Sequence, residues 1–129
     1  MRPMTRALLI FLSVLLIANF TACSNKEYPV IGNPNPGAEE VTPTALTVGA
    51  SKFYDKPINV LLTYEREIES EREGTRKLIF SGESREFGVY FDKGTHEDLF
   101  KTLKPGTMYR IFGVYEQAFT DKYPIINIS

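Results

Sequence analysis

The chain has 129 residues, which is enough for one hydrophobic core but too few for two. It carries 15 basic and 16 acidic residues, a formal net charge of −1. A chain so close to neutral has no general electrostatic attraction for nucleic acid or anionic lipid, which excludes binding driven by charge alone.

The N-terminus has the layout of a secretory signal peptide. Arg2 and Arg6 precede an apolar run over residues 7–20, and the sequence turns polar directly after Cys23. The run is too short to span a bilayer comfortably, which favours an export signal over a transmembrane helix. The sequence therefore predicts a removable export signal, and a chain without residues 1–22 would have 107 residues and a net charge of −3.

The tetrapeptide Phe20-Thr21-Ala22-Cys23 resembles the lipobox of bacterial lipoproteins, with Phe20 where leucine is more common. The resemblance implies that the chain is cut before Cys23 and that fatty acids such as palmitate are attached there, so that the membrane is a partner through this lipid. It also implies a cell-envelope location. Because Ser24 is not the aspartate of an inner-membrane retention signal, the expected site is the periplasmic face of the outer membrane, if the source has one.

Two other interpretations of Cys23 remain open. It could be an inert thiol in an uncleaved anchor helix, or an unpaired cysteine present by chance. A single cysteine cannot form an intramolecular disulfide, and a spare thiol is unusual in an exported protein. Lipidation would use the thiol, and the sequence therefore favours the lipoprotein interpretation.

Residues 23–45 are predicted to form a flexible tether. The segment contains Pro29, Pro34, Pro36 and Pro43 and shows no apolar periodicity. As a flexible coil it would hold the following domain roughly 25 Å from the membrane. A proline-rich ligand segment is the alternative, but no P-x-x-P core flanked by a basic residue is present.

Residues 46–129 are predicted to form one domain. From Ala45, a lead-in strand, a turn or a single helical turn is expected, with a stop at Pro57. Apolar and polar residues alternate over residues 58–64, which predicts a strand with one buried face. Residues 65–74 are rich in helix-forming glutamate and arginine. We expect the end of a long strand and a charged hairpin tip there, because a helix would have Ile68 as its only apolar anchor.

Four more strands and one short helix are predicted after this tip. The strands cover residues 76–81, 87–91, 109–115 and 124–128. Thr95 and Asp98 have the spacing of an acidic capping box, so a helix is expected from about His96 to about Lys104, where Pro105-Gly106 stops it.

Three strands, a helix and two further strands resemble the OB-fold, a five-stranded Greek-key barrel with its helix between strands three and four. The resemblance runs from Leu46 to the C-terminus. The phrases Thr47-Val48-Gly49, Tyr54-Asp55-Lys56 and residues 109–114 are similar to segments of exported bacterial OB-like domains. A small β-sandwich is the competing architecture, because strand patterns separate the two poorly.

The residues that could carry chemistry are few, so we predict no enzyme, no cofactor and no metal. His96 is the only histidine and is expected at the surface beside a helix cap, and no metal, nucleotide or nucleophile motif has the required spacing. The glutamates at alternating positions from Glu65 to Glu73 are expected to form a solvated hairpin. An envelope hydrolase that uses two carboxylates remains the alternative function.

A speculative binding face consists of four basic residues and one aromatic residue: Arg76, Lys77, Arg85, Tyr90 and Lys93. OB-folds that bind single-stranded nucleic acid combine such residues on strands two and three. The negative charge and the export signal oppose that function, so no nucleic-acid partner is expected, although a single-strand binder remains a third alternative. The sequence favours a membrane-anchored, non-enzymatic binding or assembly module for a protein, peptide or glycan.

Overall fold

A computed structural model describes residues 27–118 and 121–128. These residues form seven strands, two α-helices and one 3₁₀ turn. In chain order they are β1 (Val30–Ile31), β2 (Glu39–Val41), α1 (Pro43–Val48), the 3₁₀ turn (Ala50–Lys52), β3 (Pro57–Ile68), β4 (Thr75–Gly82), β5 (Arg85–Asp92), α2 (Glu97–Thr102), β6 (Met108–Glu116) and β7 (Ile125–Asn127).

Strands β3 to β7 close into a five-stranded barrel. The strands pair in the order β3, β4, β5, β7, β6, and β6 pairs again with β3 to complete the circle. The β5–β7 pairing is parallel and the other four are antiparallel. This order and the short helix between β5 and β6 confirm the predicted OB-like barrel, and the sandwich alternative is not the fold.

Strand β3 pairs with two neighbouring strands, one along each half of its length. Residues 57–63 pair with β6, residues 63–68 pair with β4, and the register shifts between Tyr64 and Arg66. A bulge at this point bends the strand, which allows one long strand to contribute to both sides of a closed barrel. The predicted long strand with a charged hairpin tip is therefore confirmed.

The barrel interior is filled by large apolar side chains from all five strands. They alternate along each strand, as the period-two pattern predicts. The core cluster in the barrel strands comprises Ile58, Val60, Leu62, Tyr64, Leu78, Phe80, Phe87, Val89, Phe91, Tyr109, Ile111, Tyr115 and Ile126. Ile79, Tyr90 and Ile125 are also buried but lie outside this cluster.

The segment before the barrel corrects the predicted domain boundary. Strand β1 pairs in parallel with β6, β2 pairs in parallel with β3, and Ile31 is completely buried in the core. From Val30 onward, the predicted tether 23–45 is therefore part of the folded domain, which does not start at Leu46. Residues 1–26, with the predicted signal peptide and Cys23, lie outside the described residues.

The proline-rich stretch is a turn between two short strands. The N–H of Ala38 donates to the carbonyl of Asn35 at 2.9 Å, which closes the chain back toward β2. At Gly32 the backbone has a φ of 87°, and a Cβ atom would lie 2.2 Å from the carbonyl oxygen of Phe112. Glycine is required there, because any side chain would collide with β6.

Helix α1 begins two residues before the predicted lead-in element. Thr42 caps it by accepting a hydrogen bond from the N–H of Ala45 at 3.1 Å, and Pro43 occupies the first turn, where no N–H is needed. Leu46 is completely buried under the barrel end.

Helix α2 is shorter than predicted, and the predicted capping box is wrong. The hydroxyl of Thr95 donates to the carbonyl of Asp92 at 2.6 Å, so it does not cap the helix. His96 takes the cap position with a φ of 54° and is half-buried rather than exposed. The chain becomes extended at Leu103, close to Pro105, which disfavours helix at the residue before it.

Candidate functional site

The surface that OB barrels commonly use for ligands lies on their second and third strands, which are β4 and β5 here. Lys77 and Tyr90 are partners across these strands, and both are buried. The ammonium Nζ of Lys77 lies 3.0 Å from both carboxylate oxygens of Asp121 and 3.3 Å from the nearer oxygen of Glu71. We refer to these four residues as the Lys77 cluster.

Tyr90 lies between the two carboxylates of the Lys77 cluster. Its hydroxyl is within hydrogen-bonding distance of both Asp121 and Glu71, and it has one proton to donate. Burial, together with hydrogen bonds to the two carboxylates, raises the pKa of Tyr90 well above its ordinary value. The hydroxyl therefore stays protonated.

Both carboxylates of the Lys77 cluster are held in the charged form. Burial alone would raise the pKa of Asp121, but hydrogen bonds from Tyr90, Lys77 and the N–H of Tyr123 outweigh it, and the pKa is about 2. The hydrogen bond from Tyr90 is the main cause that lowers the pKa of Glu71. The single lysine charge thus faces two negative charges.

Arg72 covers the cluster from the hairpin between β3 and β4. Its guanidinium lies 4.2 Å from the centre of the Tyr90 ring and 2.9 Å from a carboxylate oxygen of Glu116 on β6. Glu71 and Arg72 come from one connecting loop and Asp121 from another. These contacts fasten both loops across β4 and β5, so the protein's own side chains occupy this surface.

The five residues of the speculative binding face do not form one surface. Lys77 and Tyr90 meet, but Arg76 points to the opposite side of β4, because successive side chains alternate. Its guanidinium stacks 3.6 Å from the Phe100 ring centre and forms two hydrogen bonds to Glu67. Arg85, at the start of β5, is half-buried, and Lys93 is exposed in the turn after β5.

A cleft of about 580 Å³ lies on another part of the barrel's outer surface. It extends across β6 and β3 to the gap between β2 and the end of β4. We call it the outer cleft, and its lining is Glu40, Val41, Thr42, Pro43, Leu61, Thr63, Ser81, Gly82, Glu83, Met108 and Arg110. Its volume is within the range of small-molecule and peptide sites.

The charged groups of the outer cleft are engaged with other parts of the protein. Arg110 donates to Asn59 at 2.8 Å and to Glu40 at 3.3 Å. Glu83 accepts a hydrogen bond from the N–H of Thr44 at 3.3 Å. The cleft therefore offers mainly apolar contact to a partner.

The apolar part of the outer cleft is supplied by Val41, Pro43, Leu61 and Met108. Met108 is 38% exposed, which is unusual for a large apolar side chain on a barrel strand. Sequence reasoning missed this site because it depends on β2, which was not predicted. The available signal was Leu61, an apolar residue in the otherwise polar row of its strand.

His96 and the glutamate run have structural contacts. The His96 ring meets the edge of Phe91, with centroids 5.7 Å apart. Ser81 donates to Glu65, while Glu67 pairs with Arg76. Among residues 27–118 and 121–128, no group of three or more histidines, cysteines and acidic residues could hold a metal ion. Within the same ranges no helix has the length and apolar character needed to cross a bilayer.

No family model matches the chain, and no curated protein matches it.

Proposed function

We propose that this protein is a cell-envelope lipoprotein, anchored through a lipid on Cys23, that acts as a non-enzymatic binding or assembly module. The outer cleft would take part of a protein, peptide or glycan partner. The observation that carries the proposal is the combination of this open, largely apolar cleft with charged neighbours that are already paired inside the protein.

The N-terminal sequence supports the anchoring. A basic start, an apolar run over residues 7–20 and the single cysteine at the lipobox position occur together. A single acyl chain holds a protein to a bilayer only weakly, so stable anchoring needs more than one chain on Cys23. Sorting to the periplasmic face of an outer membrane, where the source has one, belongs to the same proposal.

The shape and chemistry of the outer cleft support a binding role. Binding sites are typically concave, mostly apolar and supplied with a few polar groups that fix orientation. The hydroxyl of Thr63 lies among the apolar residues of the lining and provides such a group, whereas the hydroxyls of Thr42 and Ser81 already bond to Ala45 and Glu65. By contrast, the surface on β4 and β5 is occupied by Arg72 and the Lys77 cluster.

The anchoring is tested by Cys23→Ser in the full chain. Because only the thiol can accept the lipid, a radioactive fatty acid should label the wild-type protein and not the variant. Lys93→Ser, in an exposed turn, is the control and should be labelled normally. Equal labelling of wild type and Cys23→Ser would contradict the proposal.

The binding role is tested at Met108, which is the only methionine after residue 22. In a protein that starts at residue 24, released from a cleavable fusion, a ¹³C-labelled methionine methyl group gives one NMR signal from the cleft wall. Cell-wall glycan fragments or unstructured peptides should shift this signal, and Leu61→Glu should abolish the shift. Val48→Glu is the control outside the cleft. No shift with either ligand class would contradict the cleft's proposed role.

A further inference from the structure

The segment that would connect the lipid to the barrel is short. The carbonyl of Pro29 accepts a hydrogen bond from the N–H of Arg110 at 2.9 Å, so Pro29 is fixed to β6. Six residues lead from Cys23 to Pro29, and six extended residues span at most about 20 Å. A lipid on Cys23 would therefore keep this edge of the barrel close to the bilayer.

The direction of the chain shows which edge this is. Strand β1 runs parallel to β6, with Val30 opposite Arg110. The chain before Pro29 therefore continues toward the start of β6, where Met108 lies. Val30 and Met108 both point outward from the barrel, since Ile31 and Tyr109, their neighbours in sequence, point into the core.

Exposed apolar side chains are concentrated at this edge. Val30 is 47% exposed and Met108 38% exposed. Among the described residues, Val48 is the only other large apolar side chain exposed to this degree. Val48 belongs to α1, in which the carbonyl of Leu46 accepts a hydrogen bond at 2.8 Å from the hydroxyl of Tyr115, a residue near the other end of β6.

We infer that the edge formed by Val30, Met108 and the adjoining wall of the outer cleft rests on the lipid surface of the membrane that holds the anchor. This inference depends on the proposed lipidation of Cys23 and adds which side of the barrel faces the bilayer. Contact with the acyl boundary removes both apolar side chains from water. Orientations that turn this edge away from the bilayer leave them exposed.

The charges at this edge require no particular lipid headgroup. Arg110, a charged residue beside Val30 and Met108, already donates to Asn59 and Glu40. The predicted contact is therefore apolar and should form on zwitterionic membranes as well. The outer cleft then opens beside the bilayer, and its partners are molecules that are themselves held at the membrane.

Fluorescence quenching can test this orientation, because the chain contains no tryptophan. Val30→Trp and Met108→Trp are prepared separately as the full lipidated protein and placed in phosphatidylcholine vesicles with brominated acyl chains. Val48→Trp is the matched control, since it is also apolar and exposed but lies on α1, outside the lining of the outer cleft. Thermal melts establish that each variant is folded.

We expect quenching several times stronger for Val30→Trp and Met108→Trp than for Val48→Trp. Equal quenching at the three positions, or none at Val30 and Met108, overturns the inference. Mass spectrometry of the N-terminal peptide separates the two proposals. A peptide without lipid on Cys23 overturns the anchoring and this inference together, whereas a lipidated protein with uniform quenching overturns the orientation alone.

Discussion

Lys77 and Asp121 have the most deeply buried side chains of the described ion pairs, with 4% and 8% of their side-chain surface exposed. Lys77 faces Asp121 and Glu71, and both carboxylates are also close to the Tyr90 hydroxyl. Removing one partner of a buried ion pair leaves an uncompensated charge, which typically costs about 3–5 kcal/mol. The loop that carries Glu71 and the loop that carries Asp121 are therefore both held to the barrel through Lys77.

We expect Lys77→Met to lower the free energy of unfolding by about 3 kcal/mol or more, because it leaves two carboxylates facing each other. Urea denaturation measures the change, and Lys93→Met in an exposed turn should alter it by less than about 0.5 kcal/mol. Lys77→Met combined with Asp121→Asn should recover part of the loss. Equal effects of Lys77→Met and Lys93→Met would contradict a structural role for the Lys77 cluster.

The Lys77 cluster should also make the protein sensitive to acid. The pKa of Asp121 is lowered from 3.8 to about 2 in the folded state, so the folded protein binds fewer protons than the unfolded chain in this range. The stability that Asp121 contributes, at most about 2 kcal/mol, is present above about pH 4 and is lost as the pH falls toward 2. Denaturation series at several pH values should show this loss. Asp121→Asn should reduce the slope, and an unchanged slope would contradict the assignment.

At the scale of single elements, helix α2 shows how a short segment closes one end of the barrel. Leu99, Phe100 and Leu103 are half-buried against the core rather than fully buried. Phe100 meets Phe91 edge-on, with centroids 5.2 Å apart, and supports the Arg76 guanidinium on its other side. The helix thus covers the barrel end without entering it.

We expect Phe100→Ala to lower the free energy of unfolding by about 1–3 kcal/mol. Phe91 is fully buried, so Phe91→Ala should lower it by more, about 3–5 kcal/mol. The difference arises because part of the Phe100 surface is already in water. Lys101→Ala, on the exposed side of the helix, is the control and should have little effect. Thermal melts would contradict this account if Phe100→Ala were as mild as Lys101→Ala.

The elements differ in how well the sequence predicts them. The alternation over residues 58–64 predicts β3 because each inward position lies in one continuous core. Strands β1 and β2 have two and three residues and carry no periodicity. Their pairing is decided by contacts with β6 and β3, distant in sequence, which local patterns do not contain.

The same limit applies to the candidate sites. Lys77 and Tyr90 suggest an exposed face when considered by residue type alone. Their burial depends on Asp121, which lies 44 residues from Lys77. The outer cleft likewise joins four strands and the start of α1, so no single stretch of sequence carries its signature.

At the scale of the whole molecule, the folded domain begins before the predicted boundary. A chain lacking residues 1–26 should keep full stability, whereas a chain lacking residues 1–44 loses β1, β2 and the buried Ile31. Truncating a buried isoleucine such as Ile31 to alanine typically lowers the free energy of unfolding by about 2–5 kcal/mol. We therefore expect a melting temperature many degrees lower for the shorter chain, with Ile31→Ala in the longer chain intermediate. Equal melting temperatures for the two shortened chains would instead support the flexible-tether interpretation.

The position of β7 in the sheet also has a consequence for biosynthesis. β7 lies between β5 and β6 and comes later in the chain than every other strand. While the polypeptide is emerging from a ribosome, β5 and β6 lack the neighbour that Ile125–Asn127 supplies. Prematurely terminated chains would expose the edges of these two strands to aggregation and proteolysis, so only a chain that includes β7 can complete the barrel.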